Sequence, residues 1–365
     1  MAKYKRQKVK RYRRSFYSRG TRIKKGIGIV VLVLAVLGAA WLAAPHVLDW
    51  ATHTWYTVVK NRDLEAESAS RAAASSEAAA SSAVQEAASS QPEPEQPKEL
   101  DGKAVTGGSW AAVDVSTLAD DAAIRAAAQQ LKAQGADYGL VTLKDADGSI
   151  HYASQVAASG SVAGTTVDPA RIAAIFREEG IIPAAQLAAF TDPVSGYTDR
   201  SMAVHYSGTQ IWLDNVSAKA GGKSWLDPSA ASAVQYVGDL IDELHGMGFE
   251  QVVLTGVQFP NIITRKQEFA AAGGKSQEGR AALLAADIST WQARFDGSVV
   301  LWLSYPAQQC TDASDALGAP AVSLGMHNLI VTADTLDAAA RGQLQQSAAE
   351  AGVQNVVICS TESFQ

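Results

Sequence analysis

The chain has 365 residues and a formal net charge of −6, from 31 Lys and Arg against 37 Asp and Glu. The total hides an asymmetry: twelve cations lie in residues 1–25, which hold no acid, so the rest of the chain carries 19 basic against 37 acidic residues, near −18. That sign excludes nucleic acid as the partner of everything beyond the tail, because phosphate binding rests on Lys and Arg.

Residues 1–25 read as a basic cytoplasmic tail. Residues 26–44 follow without a charge, rich in Val, Leu, Ile and Ala. A bilayer core of about 30 Å needs about 20 such residues in a helix, so the segment 26–48 is expected to be a single transmembrane signal anchor. The apolar region of a cleaved signal peptide is shorter, about 7–15 residues. Lys and Arg stay on the cytoplasmic side, which places the C-terminal domain outside the cell. Trp41, Trp50, Trp55 and Tyr56 suit an interfacial aromatic belt. Residues 49–104 become an Ala, Ser, Glu and Pro-rich linker. It holds too few large apolar side chains to offset its ordering and is expected to be a disordered stalk.

The remaining residues, 105–365, fit the size of one α/β barrel. Apolar β-rich runs at 110–115, 138–143, 182–189, 252–257, 299–303, 329–332 and 355–359 alternate with helical patterns at 118–134, 169–179, 230–247, 277–295 and 336–351. In the central helix Val234, Val237, Leu240, Ile241 and Leu244 share one face. Asp227 before Pro228 suits its start, and Gly246 and Gly248 suit its end. Strand–helix alternation predicts a parallel sheet. An eighth strand near 211–213 or 225–226 would close a (β/α)8 TIM-barrel-like domain. A doubly wound open sheet would show a Gly-rich first turn, and none follows Val115 or Leu143.

In such a barrel the site lies at the C-terminal strand ends. That rule selects Asp114, Lys144, Asp145, Asp192, Asp227, Thr255, Gln258, Tyr305 and Glu362. Asp192 and Asp227, each before a Pro, also suit caps and turns. Trp225, Trp302 and Tyr305 offer aromatic faces either to sugar rings or to the core. His151, His205, His245 and His327 show no metal spacing, and no metal or cofactor is expected. Cys310 and Cys359, the only cysteines, are expected as free thiols rather than a disulfide.

Several short blocks carry a family resemblance: 141–148, the run from Ile181-Ile182-Pro183-Ala184 to Phe190-Thr191-Asp192-Pro193, Trp225-Leu226-Asp227-Pro228, and Val257-Gln258-Phe259-Pro260. With these the domain resembles a bacterial glycoside-hydrolase-like family that shares an α-amylase-like (β/α)8 barrel. Its members are often anchored at the surface of Gram-positive bacteria. The resemblance implies a strand ending Asp-Tyr-Val-Arg-Phe-Pro, where this chain has Thr255, Gly256 and Gln258 in place of the acid, the aromatic and the Arg. It also implies an Asp where Thr142 stands, an Arg at Gln186 and a Lys at Thr191.

Most glycosidases need two carboxyl groups, about 5–5.5 Å or about 6.5–9.5 Å apart, and Thr255 supplies none. The expectation is a membrane-anchored extracellular barrel that binds polysaccharide or cell-wall glycan through Lys144, Gln186, Asp192, Trp225, Thr255, Gln258 and Tyr305 without cleaving it. One alternative is an active hydrolase with a relocated pair drawn from Asp114, Asp145, Asp227 and Glu362. Another is a non-enzymatic envelope scaffold. A wall-lytic lysozyme-type barrel would share Asp114-Val115-Ser116 but would need an Asp-x-Glu at a middle strand end, which is missing. The sequence names no protein partner.

Overall fold

Strand–helix alternation becomes a parallel sheet in the computed structural model of this chain. The structure describes residues 98–100, 103–105, 108–261, 265–361 and 364, all within the unit Pro94–Gln365. The basic tail, the predicted span at 26–48 and Glu362 lie outside the described residues. Among the described residues no helix is long and apolar enough to cross a membrane.

Seven parallel strands follow one another in sequence order: β1 (Trp110–Val113), β2 (Tyr138–Lys144), β3 (Ile182–Ala188), β4 (Gln251–Thr255), β5 (Val300–Pro306), β6 (Asn328–Thr332) and β7 (Asn355–Cys359). Five long helices connect them: α1 (Asp121–Ala133), α2 (Pro169–Glu178), α3 (Ala231–Gly246), α4 (Gln277–Arg294) and α5 (Ala338–Glu350). Side chains alternate between the two sheet faces. One face packs on the helices, with Val141, Leu187, Val252, Leu303 and Val331 in the larger buried cluster. The other gives an inner cluster to which every strand contributes: Trp110, Tyr138, Ala184, Val253, Trp302, Ile330 and Cys359, with Phe364 beside them. Trp110 of β1 and Cys359 of β7 belong to this one cluster, so the sheet curls on itself in a TIM-barrel-like way. Trp110 stacks on Tyr138 at 4.1 Å between ring centroids, and Trp302 meets Trp110 edge-on at 5.2 Å.

The eighth strand expected at 211–213 or 225–226 does not join this sheet. Gln210–Ile211 pairs with His205–Tyr206, which pairs with Gln267–Glu268, in a separate antiparallel sheet. Leu226 makes only a single bridge, to Ala203. These apolar residues bury against one another, as Val204, Trp212 and Trp225 form their own cluster. They build an insertion between β3 and α3 rather than a barrel stave.

Asp120, Asp168, Ser276 and Asp337 cap α1, α2, α4 and α5 by accepting from backbone amides of the first turn. Helix α3 differs. Its cap is Ala230, without a side-chain bond, so Asp227 is not the cap that its place before Pro228 suggests. Gly248, beyond the end of α3, has φ +98°, a conformation glycine adopts without penalty. Cys310 and Cys359 are free and buried. Burial pushes their thiols up to about 12 and about 11.

Candidate functional site

A cavity of about 370 Å³ opens at the C-terminal ends of β3 to β7. Its wall takes Gln186 from β3, Thr255, Gly256 and Gln258 from the end of β4, Ser304 and Tyr305 from β5, and Thr332 from β6. Asn261, Pro306, Gln309, Thr361 and Phe364 complete it. Every polar side chain among these described residues is neutral. The position follows from register. Thr142 of β2 is the partner of Gln186 on β3, and Gln186 is the partner of Val253 on β4. Thr255 lies two residues further along the inward face. The positions at which the resemblance implies Asp, Arg and Asp therefore lie on three adjacent strands, Thr255 two residues beyond the partner of Gln186, and all three are neutral here.

Gln258 Nε2 donates to Asn261 Oδ1 at 2.8 Å. The side-chain carbonyl oxygens of Gln186 and Gln309 are buried and accept nothing. An unmatched buried acceptor costs about 1–3 kcal/mol, so both oxygens favour a ligand that donates hydrogen bonds. Tyr305 is 2 % exposed, and its hydroxyl donates to the Val257 carbonyl at 2.9 Å.

The charged candidates are placed elsewhere. Lys144 and Asp192 form a fully buried ion pair at 3.1 Å. Lys144 Nζ also donates to the Ala188 carbonyl at 2.6 Å, and Asp192 Oδ1 accepts from the Val194 and Ser195 amides. Burial pushes the Lys144 ammonium down, against Asp192 and Asp145, which hold it up. Asp145 accepts from the amides of Asp147 and Ser149 in the turn after β2 and lies 3.2 Å from His151 Nε2. That turn packs on the ion pair, since a Cβ at Gly148 would come 2.6 Å from Asp192 Oδ1.

Asp114 is exposed and caps the short turn after β1. Ser116, through its side chain first and its amide second, holds Asp114 below the ordinary carboxylate value. Asp227 is 1 % exposed. It accepts from the Ser229 amide and hydroxyl and, across the chain, from the Ala270 amide at 2.6 Å. Burial raises its pKa against these bonds.

Trp225 donates to Asp214 at 3.1 Å from within the insertion, and Trp302 donates to Gln251 at 2.8 Å inside the barrel. Both are core aromatics. The structure thus brings Gln186, Thr255, Gln258 and Tyr305 into one mouth. Lys144 and Asp192 lie beneath an adjoining turn, and Asp114, Asp145, Asp227 and Trp225 lie outside the mouth wall. Sequence reasoning missed Ser304 and Thr332 as mouth residues, although the strand-end rule that selected Thr255 also reaches them. Among the described residues no three His, Cys, Asp or Glu side chains gather as metal ligands.

Residues 113–300, just over half of the chain, match the family described as "Putative glycosyl hydrolase domain". No curated protein matches the chain. Among solved structures it is similar to a hypothetical protein from Ruminiclostridium thermocellum, with 21% identity over 53% of this chain and 96% of that one, TM-score 0.45. It is also similar to an alpha-galactosidase from Thermus thermophilus, with 14% identity over 68% and 46% of the two chains, TM-score 0.41. The same holds for an alpha-amylase from Lactobacillus plantarum, with 12% identity over 62% and 52%, TM-score 0.40. The chain spans about half the length of these two enzymes.

Proposed function

The chain belongs to that glycosyl hydrolase family, and from this premise we propose that it is a membrane-anchored, extracellular barrel that holds a neutral glycan without cleaving it. The observation that carries the reading is the mouth at the strand ends. Its described wall has no carboxylate to act as acid, base or nucleophile, and no cation to pair with an acidic sugar. Hydrolysis needs two facing carboxyl groups. Glu362, next to Thr361 of the wall in the sequence, lies outside the described residues, and one carboxyl group is half of the requirement. The unmatched oxygens of Gln186 and Gln309 suit sugar hydroxyls as donors. The apolar segment 26–48 with its basic flank supports the anchor and its orientation.

The test uses the intact chain in nanodiscs, incubated with neutral α- and β-glucans, peptidoglycan and polygalacturonate. Binding and reducing-end release are recorded in the same samples. The expected result is binding of a neutral glucan with no release, weakened about tenfold by Gln186→Ala, the loss of roughly one hydrogen bond's worth of affinity. Release that disappears in Glu362→Gln would establish hydrolysis through that residue and overturn the reading. Neither binding nor release would favour an envelope scaffold.

A further inference from the structure

A second cavity, of about 440 Å³, lies on the outside of the barrel between α3 and α4. Its wall is mainly hydrocarbon: Pro228, Ala231 and Val234 on one side, Leu283 and Trp291 on the other. One carboxyl group interrupts it. Asp287 of α4 is 8 % exposed, and its Oδ2 is buried with no hydrogen-bond partner. The two hydroxyls of the wall are already committed. The Thr290 hydroxyl donates to the Ala286 carbonyl at 2.8 Å, and the Ser229 hydroxyl serves Asp227 and Ala271. The other charged residue of the wall, Arg294, pairs with Asp239 and Asp242 of α3. A buried carboxyl group in a hydrocarbon cleft, with no internal cation, is costly unless something supplies the partner.

We propose that this cleft is a binding site for a primary alkylammonium ligand, its head on Asp287 and its hydrocarbon body along Val234, Leu283 and Trp291. A metal ion fits poorly, because Ca²⁺ and Mg²⁺ gather about six or more oxygens and the cleft offers one carboxyl group. An ammonium needs only the carboxylate and a few further acceptors or waters, and its chain fills the apolar wall. The charged groups around the site are Asp227 before α3, Asp239 and Asp242 on α3, and Arg294 on α4.

Burial, reinforced by Asp227, holds the Asp287 carboxyl up to about 8. At pH 7 the empty cleft therefore holds the acid form. Binding converts it to the carboxylate opposite the ammonium and releases one proton to the buffer. Affinity rises with pH up to about 8.

The experiment titrates the intact chain in zwitterionic nanodiscs with n-butylammonium, with empty nanodiscs as the blank and n-butanol as the neutral isostere. Calorimetry at pH 7 in buffers of different ionisation enthalpy reads the released proton directly. The expected result is saturable binding of the amine with about one proton released, and affinity at least about tenfold lower for butanol and for Asp287→Asn. Asp287→Asn replaces a neutral acid by a neutral amide of the same shape and keeps the fold. Ala231→Phe at the exposed start of α3 fills the cleft from the opposite side, leaves Asp287 in place, and is also expected to abolish binding. Equal affinity for butanol, equal affinity in Asp287→Asn, or no binding of the amine overturns the proposal.

Discussion

A Cβ placed on Gly256 would come 2.6 Å from the Thr191 hydroxyl oxygen. The loops after β3 and β4 touch at this point, and Gly256 reaches it with φ +62°. The family resemblance implies an aromatic at 256 and a Lys at 191, so the two departures from the pattern are in contact. Gly256→Ala is expected to cost about 1–3 kcal/mol, from the left-handed backbone together with the collision. Thr191→Ala in the same chain should return the collision part and leave the backbone part. Urea denaturation of both single variants and the double checks this, and strictly additive costs would show that the contact carries no coupling.

The pair of Lys144 and Asp192 should behave as a unit. Lys144→Met leaves a carboxylate buried without its cation, which costs about 3–5 kcal/mol. Adding Asp192→Asn removes the stranded charge and keeps an oxygen for the Val194 and Ser195 amides. The double variant is therefore expected to recover most of the loss. Denaturation midpoints decide, and a double variant no more stable than Lys144→Met would contradict the pairing.

Asp287 gives stability a pH dependence of definite sign. Its carboxyl titrates at about 8 in the folded chain, against 3.8 for the unperturbed group. Between those values the folded state holds a proton that the unfolded state has released, so stability falls as pH rises and levels off above about 8. Asp287→Asn should flatten this profile and raise stability at pH 8 by roughly 1–3 kcal/mol. Thermal melts between pH 5 and 9, an interval chosen to span about one unit beyond the folded value, read the slope. An unchanged slope in the variant would place the titration elsewhere.

Asp227 acts as a tie between distant segments. It binds the Ala270 amide, 43 residues away, and fixes the turn that precedes α3. Asp227→Asn turns one acceptor into a donor and is expected to cost about 2 kcal/mol. Amide exchange at Ala270 should rise markedly, while glycan binding at the mouth changes less than about twofold, because no bond made by Asp227 reaches the mouth wall. Exchange mass spectrometry with a binding assay separates this role from a catalytic one.

Much of the barrel was legible in the sequence because local patterns report buried faces. Residues 182–189 and 252–257 read as strands, and the structure has Ile182–Ala188 and Gln251–Thr255. The insertion was not legible in this way. Trp225 and Leu226 have the apolar character of a strand, yet Trp225 is buried against Val204 and Trp212, partners that no periodicity announces. Asp227 before Pro228 has the form of a helix cap, and only the Ala270 amide reveals its other use. The neutral character of the mouth was readable at Thr255 and Gln258 from strand-end position, and at Gln186 from the family resemblance. Gln309 was not, because it comes from the short helix Ala307–Thr311 that folds over the opening. Asp287 carried a signal that was easy to overlook: an acid among Leu284, Ile288 and Trp291, the residues that bury α4.

The curled sheet has a further consequence. Among the described strand pairings none joins β1 to β7, so the ring is fastened by a clasp of side chains rather than by a ladder. Trp110, stacked on Tyr138 and edge-on to Trp302 in the cluster that also holds Cys359, is the tongue of that clasp. Opening the ring along this line breaks no backbone bond between the two strands, whereas opening it anywhere else does. Slow breathing of the barrel should start there. Amides of Trp110–Val113 and Asn355–Cys359 are expected to exchange before those of Gln251–Thr255, which is held by a strand on each side.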